Sequence, residues 1–526
     1  MSNGIVPTIK LSMELTKVLA DIEMNGLHIN LDVLNNIKVK FENELEQLEK
    51  FLNEKVKYFM GDTPINLDSP EDRSILFYSM RLTDKKMWAT RFNIGFEVRG
   101  NTRKPKRRTE FSDMREFYTE INSLARAEFK THGTICHNCE GTGKYTYMKK
   151  DGTPSNVKRK CKTCNEKGLI FTNKKERAGL RLRPRNSIDC SAMGFKTDKE
   201  VLESHLTSTR GVEHEFLIKY VRYSAIRTYL RTFVDGMQKA ISKDGMVHPQ
   251  FMQCVTSTGR LSSRNPNFQN MPRGNTFPVR ECITSRWKGG KILEGDYSQL
   301  EFRVAGFLAN DKQVFEDVKN EVDVHSYTAR ILGVSRQKAK SDTFKPLYGG
   351  ILGTPKQMQY YRAFKNKYEG VTRWHRELQN EALITNKVRL PSGRQYFFGN
   401  VERLRSGSVT NATASGSASG APSIKNYPVQ GFATADLLPI ALINLKNLLT
   451  NRKLKSIICN TVHDSIVMDV YPDEDEQAIT TMKDAMMSLS DECIKRYGFK
   501  YTMPIGIELK IGNDWLNMKE VYKTNG

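Results

Sequence analysis

The segment IICNTVHDSIVMDVY (457–471) constrains this chain most. Two runs of β-branched and apolar residues are separated by a two-residue His463-Asp464 step, and this pattern predicts strand, tight turn, strand. An antiparallel sheet is therefore part of the fold, with Asp464 at the tip of a hairpin. A second apolar run, ILEGDYSQLEFRVAGFL (292–308), predicts strand, turn and helix, and Asp296 falls at the strand's end. A carboxylate at the end of a buried strand is rigidly held and faces a cleft. Two of them on neighbouring strands make a site for two divalent cations about 3.5–4 Å apart.

The rest of the chain supplies mostly helix. Leu11, Leu15, Val18, Leu19 and Ile22 fall at helical spacing until Asn25-Gly26, and Leu31–Val56 is long and amphipathic. Lys199–Leu206, Phe216–Ile241, Val324–Leu332 and Arg336–Tyr348 also read as helices. On that last helix Arg336, Lys340, Phe344 and Tyr348 recur every four residues, so one face carries two cations and then two aromatics. That face suits a nucleoside triphosphate, with charge for the phosphates and rings for sugar and base. Ser406–Gly420 is a low-complexity Ser/Gly/Ala stretch that reads as a mobile loop.

The formal net charge is +23, which points to a polyanionic partner. Residues 99–185 hold 23 Lys/Arg against 9 Asp/Glu, over half of that charge in a sixth of the chain. Their opening, RGNTRKPKRRTEF, reads as a solvated arm. Within them Cys136, Cys139, Cys161 and Cys164 form two C-x-x-C units separated by 21 residues, each followed shortly by Gly, the spacing of a closed structural Zn²⁺ site. Tyr145 and Tyr147 alternate ahead of Asp151-Gly152, which predicts a hairpin between the two knuckles. The uninterrupted apolar runs are too short to span a bilayer. The expectation is a cytoplasmic protein without a signal peptide or membrane partner.

Several segments resemble family A DNA polymerases, the bacterial polymerase I type. GDYSQLEFRVAGFLAND is similar to motif A, RQKAKSDTFKPLYGG to motif B and TVHDSIVMDV to motif C. TGRLSSRNPNFQNMP resembles the segment before motif A, and YPVQGFATADL the helix after the fingers. The five occur in the family's order, and the likeness covers nearly everything except about 85–192. It implies an α+β right-hand fold with an antiparallel palm sheet. The expected divisions are thumb 1–96 and 191–240, a basic zinc-binding insertion 97–190, palm 241–311 and 421–526, and fingers 312–420.

The resemblance also implies template-directed extension of a primer by deoxynucleoside triphosphates. Asp296, Asp464 and the Tyr297 backbone carbonyl would hold two Mg²⁺ ions. Arg336, Lys340, Phe344, Tyr348 and His325 would receive the nucleotide, and Glu301 would exclude a ribose 2′-hydroxyl. Arg260, Asn267, Gln269, Asn270, Gln430 and His463 would contact primer-template DNA. The first DnaJ-like C-x-x-C-x-G-x-G knuckle strengthens the zinc reading.

Three departures matter. Ser465 stands where most of the family has a second motif C carboxylate. Pro422 replaces a basic residue eight positions before Gln430. Pro346 should break the motif B helix before Tyr348. His-Asp-Ser is the pattern of single-subunit RNA polymerases, which makes RNA synthesis the rival activity, but those enzymes lack counterparts of Glu301 and Phe344. A catalytically inactive nucleic-acid-binding module is the rival of another class, and primer extension separates them. The likeness begins within the first dozen residues. No 3′–5′ exonuclease domain is therefore expected in this chain, and proofreading, helicase and processivity partners are expected on other chains, in a bacteriophage replication setting.

Overall fold

The computed structural model describes residues 6–99, 102–106, 108–127, 132–172, 178–350, 353–398, 400–403, 409–412 and 422–524. Most of the Ser/Gly/Ala stretch 406–420 lies outside them. The chain forms two compact units, residues 1–39 with 229–526, and residues 40–228.

The larger unit is built on a five-stranded antiparallel sheet. Its strands are β1 (Lys291–Tyr297), β2 (Ile457–Val462), β3 (Ser465–Val470), β4 (Ile507–Gly512) and β5 (Met518–Thr524), in the order β2-β3-β1-β4-β5. Side-chain alternation divides β1. Leu293, Gly295 and Tyr297 are buried, and the Tyr297 hydroxyl donates to the Met486 carbonyl at 2.8 Å. Gly295 is needed there, because a Cβ would stand 2.5 Å from the Met482 sulfur. Glu294 and Asp296 take the opposite face.

Helices α1 (Val6–Asn25), α2 (Leu300–Leu308), α3 (Val324–Leu332), α4 (Arg336–Thr343), α5 (Pro422–Gly431) and α6 (Leu438–Asn451) belong to the same unit. The periodic residues Leu11, Leu15, Val18, Leu19 and Ile22 of α1 enter its core beside Leu293, Leu445 and Ile458. So α1 shares its core with the sheet. The helical run Pro422–Asn451 is long and apolar enough to cross a bilayer, but most of its apolar window is buried inside the protein. It is a core helix.

The smaller unit has its own core of Leu52, Phe59, Leu76, Phe77, Trp88, Phe92, Phe117, Ile121, Leu180, Phe195 and Phe216. Part of the stretch 97–190 contributes to this core. The helix Met114–Leu124 contributes Phe117 and Ile121, and the Leu180 and Leu182 amides donate to the Leu76 and Phe77 carbonyls at 2.8 Å. At the start of the basic stretch, Phe96–Arg99 and Thr102–Pro105 pair as an antiparallel hairpin. Only His132–Thr172 is built on a different principle. Its cluster consists of the four cysteines with Tyr145 and Ile170 against them, too little apolar surface for a conventional core.

Candidate active site

The β2–β3 hairpin closes through His463 and Asp464, with His463 in the left-handed region at φ 57°. Ser465 on β3 pairs with Asp296 on β1, and the Tyr297 amide donates to the Asp464 carbonyl at 3.3 Å. The register thus brings the two sequence-predicted aspartates together. Burial first, and then the Asp464 charge, push the Asp296 carboxyl up to about 7. Burial raises Asp464 as well. Two carboxylates that resist ionising side by side form a donor set suited to divalent cations, which remove the repulsion.

Glu301 lies in the first turn of α2 and is paired with Arg260. Its carboxyl is pushed up to about 7, by burial and then by Asp464. Arg260 is mostly buried, and it favours the ionised form of Asp464. Asp296, Asp464, Glu301 and Arg260 therefore act as one electrostatic group.

A second group forms around α4. The His325 ring accepts or donates at 3.0 Å to the Thr343 hydroxyl and lies edge-on to Phe344, with centroids 5.2 Å apart. Phe302 of α2 also packs against Phe344, with centroids 5.7 Å apart. Arg336 Nε donates to Asp323 Oδ2 at 2.7 Å, and this bond is the main reason the Asp323 carboxyl lies far below the usual range. Burial and then Arg336 hold His325 below its ordinary pKa. Lys340 is exposed on the same helix.

The single four-residue-spaced face is not formed. Helix α4 ends at Thr343, Phe344 caps it, and Pro346–Tyr348 is a separate 3₁₀ turn that places Tyr348 half-buried. Pro346 has no N–H to donate, and its ring would clash with the Asp342 carbonyl in a continuous helix.

Asn267, Gln269 and Asn270 share one 3₁₀ turn. Asn267 caps it, accepting from the Gln269 amide at 3.1 Å and the Ser263 hydroxyl at 3.1 Å, while Gln269 is buried and Asn270 exposed. Gln430 is half-buried near the end of α5. Burial and the cations Arg260, Arg273 and Arg280 lower the His463 pKa, which keeps the ring neutral.

Several residues escaped the sequence reading. Arg273 reaches Asp296 at 3.5 Å, and Arg280 reaches Glu294 at 3.6 Å. On α5, Lys425 lies against Gly349, and burial followed by Lys365 lowers its pKa. Lys425 stands one turn after Pro422 on the same helix. Asn426 carries a buried Oδ1 without a partner. None of these stands out by spacing; strand alternation alone could have flagged Glu294.

A family model described as DNA polymerase family A matches residues 179–517. The chain belongs to DNA polymerase family A. Among its relatives, DNA polymerase I of Lactococcus lactis subsp. cremoris is 29% identical over 347 residues, covering 62% of this chain and 37% of the relative. DNA polymerase I of Mycobacterium tuberculosis is 27% identical over 340 residues, 61% of this chain and 35% of the relative. The chain therefore spans little more than a third of the relatives' length. The POL domain of Pol1 from M. smegmatis, in complex with DNA primer-template and dNTP, shares the fold at a TM-score of 0.62 and 19% identity. That match covers 96% of this chain and 70% of the other.

In the smaller unit the four cysteines converge, every ligand sulfur lying within 4.8 Å of the others. The Cys136–Cys161 and Cys139–Cys164 sulfurs are 3.8 and 3.6 Å apart. A tetrahedral site with metal–sulfur bonds of about 2.3 Å has edges of about 3.8 Å, so this cluster fits zinc. The Gly143 and Gly168 amides each donate to a cysteine sulfur at 3.3 Å. Gly168, at φ 71°, passes so near the Gly141 carbonyl that a Cβ would stand 2.1 Å from its oxygen. The expected hairpin is present, Lys144–Met148 pairing with Pro154–Lys160.

Proposed function

We propose that this chain is a template-directed DNA polymerase that extends a primer 3′ end with deoxynucleoside triphosphates. The observation that carries the reading is the register of β1 against β3, which sets Asp296 beside the Asp464 turn with Glu301 in the same electrostatic group. Mg²⁺ held by Asp296, Asp464 and the Tyr297 carbonyl would supply acidification of the primer hydroxyl and charge neutralisation at the leaving pyrophosphate.

The chain's own residues do the selecting. Arg336 and Lys340 bind the triphosphate, and Arg336 exchanges its Asp323 partner for phosphate on binding. Phe344, in contact with Phe302 and His325, forms the wall against the sugar, and Tyr348 lines the base pocket. Glu301, held by Arg260, fills the space a ribose 2′-hydroxyl would need. Asn267, Gln269, Asn270, Gln430 and His463 contact the primer-template. In the minor groove N3 and O2 acceptors recur in every base pair, so donors there test pairing geometry without reading sequence.

The four cysteines bind one structural Zn²⁺, folding a basic module that engages DNA phosphates or a replication partner. A separate exonuclease, helicase or processivity factor and a phage replication setting in the host cytoplasm complete the proposal. His463-Asp464-Ser465 keeps RNA synthesis as the second reading. Primer extension with deoxynucleotides and with ribonucleotides tests both. Extension by deoxynucleotides, lost in Asp464→Ala, supports the proposal; a preference for ribonucleotides favours the second.

A further inference from the structure

The face of β1 that carries Asp296 also carries Glu294, two residues earlier, and both point away from the Met482 and Met486 side. Ser465, the residue beside Asp464, is fully buried, and its hydroxyl lies 3.2 Å from Glu294 Oε1 and 3.0 Å from the Val462 carbonyl. A hydroxyl so placed orients the Glu294 carboxylate; it does not present a ligand of its own. The Glu294 charge acts on both aspartates, disfavouring ionisation at Asp296 and at Asp464.

Glu294 has a cationic neighbour in the buried Arg280, 3.6 Å away. Glu508 lies opposite Asp296 on β4, but it is bonded to Lys510 at 2.8 Å and faces Lys523 at 3.9 Å. Arg273 and Arg280 form ion pairs with Asp296 and Glu294 at 3.5 and 3.6 Å. Arg280 is also held by its bond to the Pro272 carbonyl at 3.2 Å and by stacking over Trp515 at 4.0 Å. Two divalent cations against two carboxylates leave excess positive charge, and a third carboxylate on the same face reduces it.

We propose that Glu294 is the third carboxylate of this metal-binding centre, supplied by β1 in place of one at position 465, and that Ser465 orients it. The inference rests on the polymerase reading for its chemistry, but its test has a readout independent of turnover. Mn²⁺ binding to the protein–primer-template complex is measured by calorimetry or electron paramagnetic resonance. Wild type, Glu294→Gln, Glu294→Ala, the double variant Glu294→Ala/Ser465→Glu and the double variant Glu294→Gln/Arg280→Gln are compared.

Glu294→Gln is expected to weaken Mn²⁺ binding by about tenfold or more and to raise the Mg²⁺ concentration for half-maximal nucleotide addition alongside. The melting temperature in EDTA should not fall. Moving the carboxylate, in Glu294→Ala/Ser465→Glu, should recover most of the affinity lost in Glu294→Ala. Unchanged Mn²⁺ binding in Glu294→Gln overturns the proposal. So does recovery of binding in Glu294→Gln/Arg280→Gln, because Glu294 would then be only the counter-charge of Arg280. Wild-type protein that binds Mn²⁺ but adds no nucleotide would instead sink the polymerase reading and leave this comparison readable.

Discussion

Replacing Asp296 by Asn should stabilise the metal-free protein while removing its activity. In the fold the carboxyl is pushed from 3.8 up to about 7, by burial and then by Asp464. A raised acid pKa means the native state holds the proton more tightly than the unfolded chain. Stability is therefore lost as pH rises from 3.8 through 7, and the penalty is complete above that. A shift of about three pH units corresponds to about 4 kcal/mol. The side chain is 32% exposed, and solvent screening reduces this to about 2 kcal/mol.

Asp296→Asn removes the charge without changing shape. Urea unfolding of the larger unit's transition in EDTA should show a gain of about 2 kcal/mol at pH 8, shrinking to about a third of that at pH 5. Millimolar Mg²⁺ should stabilise the wild type and leave the variant almost unmoved. A variant no more stable than wild type at pH 8, or equally stabilised at pH 5 and pH 8, would refute the reasoning.

Three other outcomes follow from particular contacts. Glu301→Ala opens the space beside the sugar and should raise ribonucleotide incorporation relative to deoxynucleotide, read from single-addition rates with each. His375 is almost fully buried, and burial lowers its pKa to about 3. Its stabilising contribution is whole above the unfolded value of 6.5 and is lost as pH falls toward 3, so His375→Gln should flatten the acid limb of a melting-temperature profile relative to wild type. Cys136→Ser with Cys139→Ser should abolish zinc retention measured by elemental analysis and expose 132–172 to proteolysis. The core around Trp88 and Phe117 should survive, since it does not depend on the metal.

The parts of the fold legible in sequence are those with a local physical cause. The β2–β3 hairpin is written in two apolar runs two residues apart, α1 in its period and its Gly26 stop, and the cysteine cluster in its spacing. The end of α4 was legible from Pro346, yet the four-residue period argued against it, and the steric constraint won. What could not be read depends on pairings across the chain. Arg336 finds Asp323 thirteen residues earlier, and Arg260 finds Glu301 across forty-one. Phe117, Ile121 and Leu180 are scattered through the most basic part of the chain, where charge hides their shared core. Glu294 was within reach, because strand alternation puts it on the face of Asp296. Its meaning needed the position of the Ser465 hydroxyl.

The central claim is that this site adds the deoxynucleotide that a template specifies. Single-turnover rapid-quench addition to a primer, with four templates differing only in the next base and each deoxynucleotide supplied alone with Mg²⁺, measures it directly. The account predicts one-nucleotide extension by the matching deoxynucleotide on each template, much slower addition of mismatches and of the matching ribonucleotide, and none in Asp464→Ala. Addition indifferent to the template base, or undiminished in Asp464→Ala, would contradict it.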